Sequence, residues 1–408
     1  MKRPIPHARL LLAAGCLLAL AAVALFDPAL RAQAGESRAE QFRRMSTQAE
    51  TTGLAQPFVG ITANGQVEPG LFALKSTGVS TSAVRTATAA FLNALDAQQR
   101  SKTVFPINDD EWRKWMNPHF YVRQGVSFEE MTPAQREKAF ALIGAGLSAK
   151  GLKLTRDIMR LNHTLAEMSN NDFEQYGEWL YHLTVMGTPS EREPWGWQLD
   201  GHHAVINYFV LGDQVVMSPF FAGSEPVTAT SGKYAGTTVL QQEQAAGLAM
   251  MRALDQAQRG RATLGSIKTR NNNLTEAFRD NVVLDYAGVP GSQLTAAQKQ
   301  QLVSLAALYI DNLDEGHARV KVEEVRRHLD RTYFAWIGGT EADSAYYYRI
   351  HSPVILIEFD HQLPTNLRHL SATPNVPARD HIHTVVRTPN GNDYGKDLLR
   401  LHYMQHPH

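Results

Sequence analysis

Two histidines stand two residues apart in "RDHIHTVVRT", residues 379–388, among β-branched neighbours. On a strand, positions i and i+2 share a face, so the imidazoles of His381 and His383 can meet one cation at about 2.0 to 2.1 Å. Eight of the 16 histidines fall in residues 351–408, together with Glu358, Asp360, Asp380, Asp393 and Asp397. A second pair, His202 and His203, follows the turn signal Asp200-Gly201, where one ring can face inward and the other solvent. Glu358 lies in "PVILIEF". An ionised carboxylate among such neighbours is costly unless it is paired, protonated or bound to a cation. It is read as a metal ligand or general base, or else as the ion-pair partner of Arg349 or Arg387.

The expected metal set is His202 or His203 with Glu358, His381 and His383, and the expected catalytic groups are Glu358, Asp360 and Arg349. A histidine pair of this kind marks a transition metal without choosing among zinc, copper and iron. Trp195, Trp197, Asn207, Arg387 and His402 are the expected substrate pocket. Core packing explains the two tryptophans and "SPFFAG" at residues 218–223 as well. No G-x-S-x-G, H-E-x-x-H or phosphate-cradling glycine loop occurs, which lowers the expectation of a serine hydrolase, a zincin or a P-loop enzyme.

The chain begins as exported chains do. Lys2, Arg3 and Arg9 precede an apolar stretch at residues 10–26, and Ala32 and Ala34 flank Gln33 as a cleavage site, so residues 1–34 read as a signal peptide. The protein is expected in the periplasm or outside the cell, with no membrane span after processing and with lipidation at Cys16 disfavoured by the apolar run beyond it. The mature chain holds no cysteine, which excludes disulfides and thiolate ligands. It carries 36 basic and 39 acidic residues, so nucleic acid is not an expected partner. A small organic substrate or ligand is; the oligomeric state is left open.

Residues 35–56 are polar enough to be expected without structure. Helices are expected over residues 82–100, 132–152, 241–258, 295–313 and 318–331, and strands over 177–186, 195–199, 203–211, 345–360 and 381–387. The order repeats in the letters. "LNALDAQQRSKTVF" at residue 92 lies against "MRALDQAQRGRATL" at residue 251, "TPAQREKAF" against "TAAQKQQLV", and "WGWQLDGHHAVINYF" against "YYYRIHSPVILIEFD". The expected fold is α+β, with internally duplicated helix-helix-strand units in residues 57–240 and 241–408 and a mixed or antiparallel sheet flanked by helices.

"FLNALDAQQR", "WGWQLDGHH", "SPFFAGSEP", "YYYRIHSPVILIEFD" and "HIHTVVRTPNGNDYGKDLLRLHY" resemble domain-of-unknown-function family 3500 from about residue 87 to 403. The resemblance implies an often exported protein with no agreed activity. It marks Gly201, His202 and His203, then Tyr347, Tyr348, Arg349, Glu358, Phe359 and Asp360, then His381, His383, Asp393, Tyr394 and Gly395; Ser352 stands where the family pattern has glycine. The leading expectation is an exported metal-dependent hydrolase or oxidase. The alternatives are a non-catalytic ligand- or metal-binding protein of the cell envelope and a purely structural use of the histidines.

Overall fold

The computed structural model describes residues 37–406, and the expected signal peptide and Cys16 lie outside them. Two compact units divide the chain. The described part of the first is residues 37–49 and 120–122. Helix α1 (Arg38–Gly53) occupies the segment expected to be unstructured. The composition argument missed a local start signal: Ser37 and Glu40 form a reciprocal cap, Glu40 N–H donating to Ser37 Oγ and Ser37 N–H to Glu40 Oε2. Buried Ser46 then accepts the Val122 amide at 2.9 Å, and Phe42 meets Phe120 at 6.2 Å.

The second unit is built on one sheet of twelve strands. These are β1 (Val104–Phe105), β2 (Val126–Ser127), β3 (Tyr181–Met186), β4 (Trp195–Gly201), β5 (Ala204–Leu211), β6 (Gln214–Ser224), β7 (Thr263–Gly265), β8 (Val289–Pro290), β9 (Tyr333–Gly338), β10 (Tyr346–His351), β11 (Leu356–His361) and β12 (Ile382–Arg387). Their order is β1-β3-β4-β5-β6-β12-β11-β10-β9-β7, with β2 beside β3 and β8 beside β9. Only β1 with β3 and β7 with β9 pair parallel, so the sheet is mixed and the fold is α+β. Residues 57–240 and 241–408 meet at the central pair β6 and β12. β6, absent from the expected strands, is the longest, and "SPFFAG" is its inner half.

The helices are α2 (Ser82–Ala94), α3 (Ala97–Thr103), α4 (Pro133–Gly146), α5 (Ala149–Met168), α6 (Gln241–Ala253), α7 (Gln256–Ala262), α8 (Ala296–Ile310), α9 (Glu315–Arg327) and α10 (Lys396–Gln405). Three expected single helices are split, for a local reason. Asp96, Ser148 and Asp255 accept the backbone amides of Gln99, Gly151 and Gln258, so each starts a new helix inside the apolar pattern. The splits seat one glutamine in each half. Gln135 Nε2 donates to Ala94 O and to Gln99, and Gln298 Nε2 to Ala253 O and to Gln258.

Alternate strand residues define two faces. Phe220 pairs with Val386 and Phe221 with Val385. The first pair joins a large core with Leu142, Ile158, Leu302 and Tyr348 under the helices. The second joins a smaller one with Trp112, Trp115 and Tyr394, under loops 106–119 and 266–288 and helix α10. The candidate site lies on this loop-covered face.

Candidate metal centre

His203, His381 and His383 come together, all buried, with one ring nitrogen of each within 4.8 Å of the other two. His203 closes the two-residue loop between β4 and β5, where Gly201 pairs with Ala204. Its φ is 66°, a left-handed conformation uncommon for a residue with a side chain. The loop is held there from two sides: the His203 amide donates to Asn117 Oδ1 at 2.8 Å, and the His203 carbonyl accepts Gly223 N–H at 2.8 Å. Tyr181 Oη adds a bond to the His202 carbonyl at 2.7 Å. Gly223 lets the rings close, since a Cβ there would lie 3.0 Å from His203 Cδ2 and 2.7 Å from Ile382 O.

Partners set the tautomers. His381 Nδ1 faces the Leu363 carbonyl at 2.7 Å, which only accepts, so Nδ1 carries the hydrogen and Nε2 a lone pair. His383 Nδ1 faces the Glu276 carboxylate at 3.0 Å, so this nitrogen too carries a hydrogen. The two Nε2 atoms stand 3.1 Å apart. Asn117 Nδ2, oriented by its Oδ1 bond to the His203 amide, lies 3.3 Å from His383 Nε2. His203 Nε2 is buried and has no hydrogen-bond partner among the described residues. Burial first, then the neighbouring imidazoles, pushes His203 and His381 well below the ordinary histidine range, so both rings are neutral near pH 7. Burial raises the Glu276 carboxyl, but His383 and Asn273 outweigh it and hold it below its ordinary value.

Three imidazole nitrogens that converge in this way could hold a metal ion. Nitrogens about 2.0 to 2.1 Å from a tetrahedral ion stand about 3.3 Å apart, close to the His381 to His383 separation. The Leu363 carbonyl and the Glu276 carboxylate are the outer partners that such rings use to fix their orientation. Glu225 lies 3.7 Å from His381 Nδ1 but spends its oxygens on the Thr365 and Asn366 amides.

The other expected ligands and catalytic groups sit elsewhere. His202 bonds Asn162 Oδ1 through Nδ1 at 2.8 Å and packs on His203 with ring centroids 3.9 Å apart. Glu358, expected as ligand or base, accepts the Leu274 amide at 2.9 Å, the Thr275 amide at 3.0 Å, Tyr347 Oη at 2.7 Å and the Thr275 hydroxyl. Asp360 pairs with Lys268 at 2.8 Å and accepts the Asn272 and Asn273 amides. Burial pushes its carboxyl up to about 6 against the pull of Lys268. Arg387 donates to the Thr275 and Ala277 carbonyls and pairs with Asp393, not with Glu358. These three side chains fasten residues 272–277, the stretch that brings Glu276 to His383. The correction has a physical reason: a buried carboxylate is satisfied as well by convergent backbone N–H groups as by a cation. Arg349 reaches the Asp285 carbonyl at 3.3 Å.

The expected pocket does not assemble. Trp197 stacks on Tyr208 under the helices, and Trp195 bonds the Ser190 carbonyl. Asn207 is tied to Gln198 and to the Pro219 carbonyl. His402 lies on α10 beside Glu193. Asn117 and Glu276, which sequence reasoning missed, come from the two loops that cover this face. Only the Asn117-Pro118 step, a turn signal, marked either in advance.

A family model described as "Protein of unknown function (DUF3500)" matches residues 77–396. The chain belongs to this family. The match spans His203, His381 and His383 as well as Asn117 and Glu276, so the whole centre lies within the family's own extent. No curated protein and no solved structure matches the chain.

Proposed function

We propose that the protein is an exported metal-dependent enzyme, a hydrolase or oxidase acting on a small organic molecule, with its metal held by His203, His381 and His383. The observation that carries the reading is the 3.1 Å approach of two Nε2 atoms whose rings are held through Nδ1 by outer partners, beside a third imidazole nitrogen without a partner among the described residues. A bound ion with three protein ligands would supply a Lewis acid and a water of lowered pKa at its open position. The chain's own groups do the rest. Leu363 O and Glu276 orient the ligating rings, and Asn117 holds the strained turn that aims His203. With neither thiolate nor carboxylate in the triad, zinc, copper and iron all suit the donors.

Zinc or copper bound without catalysis, for delivery or storage, is the second reading, and it draws on the burial of all three rings. Export rests on the N-terminal pattern; among the described residues no helix is long and apolar enough to cross a membrane. We also propose that the two halves arose by duplication. Supporting this are a strand order that runs alike from both sheet edges inward, parallel edge pairs at both ends and the matched bonds of Gln135 and Gln298.

The test is elemental analysis of untagged protein beside His203→Ala and the double variant His381→Ala/His383→Ala. About one equivalent of a transition metal, lost in both variants, is the expected result. Folded protein that takes up no zinc, copper or iron, or variants that keep their metal, would overturn the reading. A hydrolase and oxidase substrate screen of the loaded protein separates catalysis from storage.

A further inference from the structure

A cleft of about 400 Å³, with none of the three clustered histidines in its lining, opens among β6, α9 and residues 70–77. Val215, Met217, Phe220, Ile310, Leu313 and Val386 make its interior apolar. Two of the polar groups that reach it are already committed: His317 bonds Asp314 through Nδ1 and the Asp213 carbonyl through Nε2, and Tyr309 Oη meets Tyr348 Oη at 2.5 Å. A polar body set against the apolar part of the lining would lose its water without replacement.

The remaining charges have the opposite character. Lys75, Lys321, Arg327 and Glu324 also line the cleft. Lys321 is spent on Glu324 at 2.6 Å and on the Val354 carbonyl at 2.8 Å. Lys75 and Arg327 are exposed and have no ion-pair partner among the described residues. Two uncompensated cations beside an apolar chamber suit an amphiphile with one anionic head. A volume of this size, at about 30 Å³ for each water displaced, holds on the order of a dozen non-hydrogen atoms.

We propose that the cleft binds a medium-chain monocarboxylate, its chain against Met217, Phe220 and Ile310 and its carboxylate between Lys75 and Arg327. The site shares no lining residue with the histidine cluster and stands or falls without it.

Calorimetric titration of the purified protein with decanoate, beside decanol and acetate, tests the proposal. Decanoate should saturate at one per chain, decanol should bind at least tenfold more weakly, and acetate should give no heat. Lys75→Ala/Arg327→Ala, at two exposed positions that leave the core untouched, should weaken decanoate at least tenfold. Val320→Trp, which puts bulk into the cleft from α9, should abolish binding while circular dichroism and metal content stay as in the parent. Absence of saturable decanoate binding, equal affinity for decanol, or indifference to both variants would each overturn the assignment. If Val320→Trp does not fold, the double alanine variant decides.

Discussion

Phe220 and Val386 point from the two central strands into an apolar core roofed by helices, while Phe221, Val385 and His383, from the same strands, meet loops that carry carboxylates, amides and imidazoles. The helix-covered side satisfies its backbone within the helices and leaves side chains free to pack. The loop-covered side must satisfy loop backbone with side chains. Glu358, Asp360 and Arg387 are used for this, and the segment they fix delivers Glu276 to His383. Irregular backbone held by buried polar groups can place a functional side chain where no helix would.

The largest expected effect separates the two faces by stability alone. Trp197 is fully buried and stacks on Tyr208 with centroids 5.1 Å apart, so Trp197→Ala should cost about 3 to 5 kcal/mol in denaturant unfolding. Metal content per folded chain should not change. If it fell along with stability, the division of labour between the faces would be wrong.

Glu276→Gln sharpens the comparison from the other side. The amide keeps a hydrogen-bond acceptor for His383 Nδ1 but removes the negative charge that makes the ring a better donor to the ion. Metal affinity, read by competition with a chelator, should drop about 10-fold and at most 100-fold, with unfolding little altered. An unchanged affinity would reduce Glu276 to a packing group.

Glu111 reports on the loop-covered face through pH. Burial pushes its carboxyl from 4.5 up to about 8, with Lys114 lowering it and Asp200 raising it. Between those values the folded chain holds a proton that the unfolded chain releases. This contribution to stability is therefore whole below pH 4.5 and is lost as pH rises through 8. Glu111→Gln, always neutral, should be more stable than the parent at pH 8 to 9 and level with it at pH 4. Parallel stability curves for the two proteins would remove burial as the cause.

Periodicity, caps and turn residues act over a few positions, so much could be read from the letters: the α+β class, most helices and strands, and the shared face of His381 and His383. The same local physics explains the errors. Asp96, Ser148 and Asp255 are start signals inside apolar patterns that read as continuous helices. The Ser37 and Glu40 cap makes a helix of a polar leader. β6 is missing from the expected strands because its Pro219 and Gly223 weaken a strand pattern that pairing on both sides supplies.

By itself the sequence determined that a histidine pair would lie on a strand, that no cysteine in residues 35–408 could join it, and that Glu358 would need a partner. Only the tertiary structure decided who the partners are. Choosing His203 over His202 depends on one left-handed residue in a turn, and assigning Glu276 and Asn117 depends on how two long loops cross the sheet. These are contacts between residues 86 to 266 positions apart, set by the packing of the whole sheet and invisible to any local pattern.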